Sequence, residues 1–510
     1  MEGHKLLWGD FHTHLEDLDH GDDIVRAARD NIDFYAVLCY PFLWERKNGF
    51  RVETVGQRPE FLEWWADHTR LAADHNDPGR FVTFLGYEWH GDRTRWGDHN
   101  VIYREGVGEL DATMNLAELY ERLRGRSAFA IPHHTAYRKG RRGKDWDIWD
   151  RELSPVMEIY SCHGSSEGSD TPVHLLDNSS MGPRASGGSF RDALARGIRI
   201  GVIGSNDGGR LPGRWNMGRA AVWAKDATRK DIWEAIATRR TYAVTGDRIR
   251  LDFSVAGVPM GAEGRASGPV DASVAVVGSH AIDRIELIRN GRVVDTCCHN
   301  GRWEEQTSAK RFKLRFVAGW GPCATYGYKP PDRWGWDCAM DVAGGTLVGV
   351  EKCFDLMGQR VEVTTPRRCE WHLETAGRNT TTPHGMTQGL VFEIEGTRDT
   401  QVHIEAEGQV IEKTLGELSE GPHVIPLLAE SERRVRETFG LEVADLGNLD
   451  PLYHNARKIK LHRAVPEAAW RLEHTFGDVE LERGANDFTV RVTQTNGQLA
   501  WSSPVWIDRA

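Results

Sequence analysis

Apolar residues in the first 245 or so positions come in short unbroken runs separated by amphipathic stretches. The runs at 34–40 (FYAVLCY), 81–87 (FVTFLGY), 127–131 (SAFAI), 156–161 (VMEIYS) and 198–205 (IRIGVIGS) read as buried strands. Between them, Leu116, Leu119, Tyr120 and Leu123 stand at i, i+3, i+4 and i+7, one face of a helix that Gly125 closes. Strands alternating with helices predict a parallel α/β architecture. From about Arg248 the period changes to two. Runs at 249–255, 272–277, 360–365 and 487–493 alternate and are broken by Gly and Asn turns, the pattern of an antiparallel β-sandwich. A charged, more helical insertion falls near 430–467. The expected division is therefore an α/β domain at 1–247 and a sandwich-like domain at 248–510.

The chemistry sits where the strands of the first half end. The first apolar stretch ends in Asp10-Phe-His12-Thr-His14, and the run at 81–87 ends in Glu88, followed by His90 and His99. The run at 127–131 leads into His133-His134, that at 156–161 into Cys162-His163, and that at 198–205 into Asn206-Asp207. In parallel α/β barrels the C-terminal strand ends converge on one face, where chemistry is done. A lone His-x-His pair is commonly an ordinary core or surface feature. Histidine and carboxylate at successive strand ends is not, because gathering them without a cation costs desolvation. The pattern points to a metal site.

Composition narrows the surroundings. The 510 residues predict two or three domains, and 40% hydrophobic with 27% charged residues allows large cores. A formal charge of -11 argues against a general nucleic-acid or anionic-membrane binder. No apolar run has the length of a signal peptide or a membrane span, so the expectation is a cytoplasmic protein. Eight cysteines without a CxxC pair read as reduced thiols.

The segments Trp8-Gly-Asp-Phe-His-Thr-His14, Leu85-Gly-Tyr-Glu-Trp89, Gly97-Asp-His-Asn100, Pro132-His-His-Thr-Ala136, Gly143-Lys-Asp-Trp-Asp147, 158–167 (EIYSCHGSSE) and Gly204-Ser-Asn-Asp207 resemble the PHP (polymerase and histidinol phosphatase) superfamily. They are most similar to its longer branch with an all-β C-terminal portion. The resemblance covers residues 1–250. It implies a distorted (β/α)7 barrel with a two- or three-metal centre and, most often, phosphoesterase activity. Carried over by position, it implies metal ligation by His12, His14, a bridging Glu88, His99, His133 (with His134 as the alternative) and Asp207, with His20 as the third early histidine. Where the family commonly has Thr-Asp-His, this chain has Leu38-Cys39-Tyr40. Where it commonly has Asp-x-His, this chain has Asp207-Gly208-Gly209. The implied centre therefore keeps two metals and loses the third, with His90 or His163 as possible substitutes. One cation would lie on His12, His14, Glu88 and Asp207, the other on Glu88, His99 and His133. Imidazole and carboxylate together suit Mn, Zn or Fe.

The expected function is a metal-dependent hydrolase that uses a metal-activated water on a small anionic substrate, foremost a phosphoester. The alternatives are hydrolysis or lyase chemistry at a C–O or C–N bond (lactone, amide or glycoside), or a degenerate non-catalytic scaffold. Asp207, His134 and His163 are the expected proton-moving or substrate-contacting residues. Arg138, Arg141, Arg142 and Lys144, on the loop after the His133 strand, are expected to grip an anion. Tyr40 and Trp89 are expected to contact substrate, and Trp96, Trp146, Trp149 and Trp215 could wall a pocket. The expected partner is a small molecule, with homo-oligomers possible.

Overall fold

The structure is a computed structural model. It describes residues 1–510 except 2, 55–57, 174, 176–180, 209–210, 300–307, 309, 329–332, 377–386 and 510. Gly209 therefore lies outside the described residues. The fold is mixed α/β with large sheets. It divides into two compact units: Met1–Val277 with Ile282–Cys298 and Leu472–Ala510, and Gly278–Ala281 with His299–Arg471. This differs from a cut at 247/248, because the last strands of the chain return to the first sheet. Thr241–Val244 pairs with Leu499–Ser502, placing Tyr242 opposite Ser502.

In the first unit a 13-stranded sheet carries, side by side, Thr241–Val244, Arg219–Ala224, Lys5–Asp10, Phe34–Cys39, Val82–Trp89, His99–Tyr103 and Ala128–Pro132. Lys5–Asp10, Phe34–Cys39 and Val82–Trp89 run parallel. Phe34–Cys39 is buried along its whole length, which is why it reads as a continuous apolar run. The parallel expectation stops at Trp89. Residues 90–98 are fewer than the dozen or so a parallel crossover needs, so His99–Tyr103 returns antiparallel. Arg219–Ala224 is also antiparallel to Lys5–Asp10.

A separate sheet holds Gly201–Gly204 parallel to Val156–Ser161. Thr241 Oγ1 of the long sheet donates to Val202 O of this one (2.9 Å), and on the other side Ala130 N donates to Leu153 O (2.7 Å), just ahead of Val156–Ser161. Phe34, Phe84, Ile102, Phe129, Val156, Ile203 and Ala220, from seven strands of the two sheets, meet in one buried cluster. Outside it lies the helix Leu116–Leu123, whose Asn115 side chain accepts from the backbone N–H groups of Ala117 and Glu118 and so caps its start.

In the second unit, two antiparallel sheets are built on Arg311–Gly319 and on Arg333–Ala343. They meet where Trp371 of one packs on Phe316 and Phe392 of the other, each at 5.2 Å between ring centroids. Between residues 428 and 470 lie the helices Leu428–Phe439, Asp450–Asn455 and Glu467–Trp470 and the strands Lys458–Leu461 and Val465–Pro466. Among the described residues, no helix is long and apolar enough to cross a membrane.

Candidate metal centre

The His-x-His pair lies just past the strand Lys5–Asp10, and Asp10 anchors it. The Asp10 carboxylate accepts from His12 N (2.9 Å) and Thr13 Oγ1 (2.6 Å) on one side, and from Asn206 N (3.2 Å) and Gly213 N (2.8 Å) on the other. One buried acid thus ties the loop bearing His12 and His14 to the loop bearing Asp207. His14 is seated by a backbone bridge to Leu38. Glu88 is the penultimate residue of its strand, and His133 directly follows Ala128–Pro132.

These side chains converge. Glu88 Oε2 lies 2.9 Å from His14 Nε2 and 3.6 Å from His12 Nε2, while Glu88 Oε1 lies 3.6 Å from His133 Nε2. Asp207 Oδ1 is 3.3 Å from His12 Nε2 and 3.8 Å from His14 Nε2, and its Oδ2 is 3.2 Å from His163 Nε2. His12 Nδ1 donates to Glu158 Oε2 at 2.9 Å. Asp207 (φ 53°) and His134 (φ 34°) both hold left-handed backbone, a strain of about 1–3 kcal/mol each that persists only where the surroundings impose it.

The cluster is not self-sufficient. Glu88, Glu158 and Asp207 are buried among the histidines. Yet His12 Nε2, His14 Nε2, Glu88 Oε2, both ring nitrogens of His133 and Glu158 Oε1 are buried without a hydrogen bond. Buried polar atoms are ordinarily partnered, so a convergent set of orphans signals a missing partner. The electrostatics agree. Burial disfavours a charged His12, but Asp207 and Glu158 outweigh it and hold its pKa well above the ordinary histidine value. Burial likewise opposes ionisation of Glu88, yet His14 and His12 pull it well below the usual carboxylate range. Glu158 is pushed up to about 7 by burial, only partly offset by His12. Burial, reinforced by the charge of His12, holds His133 well below the ordinary value. An imidazole–carboxylate set of this kind could hold divalent transition-metal ions.

Not every expected residue arrives. Trp89 pairs with His99 and Glu88 with Asn100, while Asn100 pairs in turn with Ile131. Opposed residues share a face and neighbours alternate. Glu88, Asn100 and Ile131 therefore share one face, and His133 continues it. His99 lies on the other face, its ring 5.8 Å from Trp89 and 6.4 Å from Tyr120, with its pKa depressed by burial and then by Lys144. His20 is exposed and bonded to Asp17, away from the cluster.

Tyr40 stacks on His14 at 4.3 Å. His134 sits beside His133, with Nε2 3.5 Å from Asp98 Oδ2. His163 is bonded to Asp207, and Tyr137 also reaches its ring. Arg138 and Arg141 are exposed and Arg142 is half-buried. Lys144 is fully buried, donating to Ile148 O, and is not available to a ligand. Trp89 lines a small cavity together with Glu88 and His90. Trp89, Trp146 and Trp149 each give their indole N–H to a backbone carbonyl, of Thr113, Gly188 and Ser154.

Sequence reasoning missed Glu158, Asp98 and Asp10. Glu158 had a signal, since a carboxylate interrupts the otherwise apolar run at 156–160. His90, weighed only as a substitute ligand, is bonded to Glu88 Oε1 at 2.6 Å and to Glu53 Oε1 at 2.7 Å.

With this geometry in view, the likenesses to other proteins are as follows. A family model described as "Protein of unknown function (DUF3604)" matches residues 41–145 and 212–266. The chain is 26% identical over 317 residues to an uncharacterized protein of Chlamydia pneumoniae, a match covering 57% of this chain and 48% of that one. It is 27% identical over 322 residues to an uncharacterized protein of Chlamydia muridarum, covering 58% and 49% respectively. The chain thus spans about half the length of these curated relatives. Among solved structures, a two-domain Bacteroides vulgatus protein containing a predicted PHP-like metal-dependent phosphoesterase is similar at 12% identity and a TM-score of 0.31, covering 81% of this chain and 96% of that one.

Proposed function

We propose that this chain is a metal-dependent hydrolase that uses an activated water on a small anionic ester, foremost a phosphoester. One observation carries the reading. His12, His14 and Glu88 bring ligand atoms within 4.8 Å of one another, as do His12, His133, Glu158 and Asp207, all around buried atoms that have no hydrogen bond. The phosphoester preference rests on the motif resemblance and on Arg142, tied to Asp98 near the cluster.

In this reading His12, His14, Glu88 and Asp207 would hold one divalent ion, and Glu88 with His133 the other. Two ions of manganese, zinc or iron bound there would polarise the scissile group and acidify a water. The chain's own residues do the rest. Glu158 orients the His12 ring through Nδ1, so that Nε2 would be its ligand atom toward the cluster. His163, 20% exposed and bonded to Asp207, is placed to pass a proton to the leaving alcohol oxygen. His134, with Nε2 3.5 Å from Asp98 Oδ2, would contact the substrate in this reading. The same reading takes the strands of the first unit as a barrel of (β/α)7 type. Its support is the hydrogen bonds that tie the three-stranded sheet, and the residues just ahead of it, to the long one, and the core their strands share.

Elemental analysis of protein purified without chelator tests the reading: about two transition-metal ions per chain are expected. The loaded protein is expected to cleave members of a phosphoester panel ahead of lactones, amides and glycosides. A chain that stays free of metal under metal-replete conditions ends the proposal.

A further inference from the structure

The loop after the His133 strand holds four basic residues, and the structure separates them. Lys144 spends its ammonium on Ile148 O inside the core, while Arg138 and Arg141 extend into solvent. Arg142 alone is built into the neighbourhood of the cluster. Its Nη1 donates to Asp98 Oδ2 at 3.1 Å, and its side chain is 22% exposed. Its Nε and Nη2 hydrogen-bond to none of the described residues.

Several independent contacts fix that position. Arg142 holds a left-handed backbone (φ 69°), and its N–H donates to Arg93 O at 3.0 Å. The next residue, Gly143, has no room for a side chain: a Cβ there would lie 2.0 Å from Tyr137 O. Asp98, which presents the guanidinium, is buried and held also by Arg93 Nε at 3.3 Å, and lies 3.5 Å from His134 Nε2. Arg93 is itself tied to Glu53 at 2.6 Å and its unbonded Nε is buried, so of the two guanidiniums Arg142 is the one with accessible donors to spare. His134 in turn lies 4.3 Å, ring to ring, from His133. A clamped arginine with part of its fork uncommitted, joined to the cluster through Asp98 and His134, matches the recognition of a planar or tetrahedral oxyanion.

We infer that Arg142, presented by Asp98, forms an oxyanion-binding subsite beside the histidine–carboxylate cluster, and that the group it takes is the substrate's phosphoryl group. This rests on the hydrolase reading above.

The test is calorimetric titration of inorganic phosphate into the metal-loaded full-length protein, with metal content and Tm recorded for every variant. Losing charge-assisted hydrogen bonds in Arg142→Met is expected to weaken phosphate binding about tenfold or more. Arg142→Lys, which keeps the pair with Asp98 but not the fork, is expected to recover only part of that loss. Arg138→Met and Arg141→Met are expected to bind as the unaltered protein does, with metal content unchanged throughout. The inference is overturned by any of three results: full affinity in Arg142→Met, an equal loss in Arg138→Met or Arg141→Met, or a loss that merely follows metal content. Unaltered protein that binds no metal refutes the hydrolase reading instead. The same phosphate titrations on that protein still decide the subsite.

Discussion

Two regions of this chain gather histidines and carboxylates, and they could hardly differ more in how those groups are satisfied. On the outward face of the sheet in the second unit, His372 is bonded to Asp337 at 2.5 Å, and His403 to Glu405 at 3.1 Å and Glu412 at 3.2 Å. The acids there are open to solvent, Asp337 88% and Glu405 62% exposed. Each histidine has a hydrogen-bonded carboxylate, and those carboxylates are open to solvent. In the first unit the same residue types are buried and several point at one another without a hydrogen bond. Abundance of ligating residue types is therefore a weak signal. Burial and missing partners, together with the convergence of several such groups on one another, make the informative signal, because there the protein leaves desolvation uncompensated at one point.

The largest expected effect breaks the first region outright. His12→Ala or Glu88→Gln removes a group shared among the convergent contacts, so metal content is expected to fall to background and turnover to the uncatalysed level. Chelator treatment of the unaltered protein should lower Tm, since a ligand bound only by the folded state stabilises it. Elemental analysis and thermal melts read both. Retained metal in both variants would mean that the orphaned atoms are satisfied in some other way.

A smaller effect is expected one contact further out. Glu158→Leu leaves every proposed ligand in place but frees the His12 ring. Metal affinity is expected to drop about 10- to 100-fold. Glu158→Gln, whose amide oxygen can still accept from Nδ1, is expected to recover part of it. Competition with a metal-binding dye measures the difference.

Lys144 sharpens the contrast between buried and exposed charge. Burial lowers its pKa from 10.5 to about 7. Between those values the unfolded chain binds a proton that the folded chain does not, so this residue makes stability rise with pH across that window. Melts from pH 7 to 9 are expected to show that rise, and Lys144→Met to flatten it, with its largest stabilisation at the low end. An unchanged profile would place the Lys144 ammonium in contact with water.

The sequence made the strand ends legible because a strand's last residues and their polarity are local facts. His12, His14, Glu88, His133 and Asp207 could be picked out that way. His99 could not be placed the same way, since its face depends on the register Trp89↔His99 and on the antiparallel return at 90–98. Periodicity within one strand carries no information about either. Asp98, its neighbour, went unnoticed for the same reason. The discontinuous first unit was invisible too: nothing near Thr241 announces that it will pair with residues some 260 positions later. His99→Leu tests the register argument. Metal content is expected to be unchanged, and stability to shift by no more than about 1–2 kcal/mol, since the ring lies among Trp89 and Tyr120 with both nitrogens unbonded.

The smallest expected effect is in the second region, and its size is the point. His403 has as many carboxylate neighbours as a metal ligand would, and Glu405 and then Glu412 raise its pKa by hydrogen bonding. Solvent already stabilises each of those groups, and exposed pairs are worth little once screening and side-chain entropy are counted. The double variant His372→Ala, His403→Ala is therefore expected to keep its metal content and to move stability by less than about 0.5 kcal/mol for each substitution. A larger loss, or a loss of metal, would mean that exposed clusters here are held by something other than water. The distinction drawn between the two regions would then fail from its weaker side.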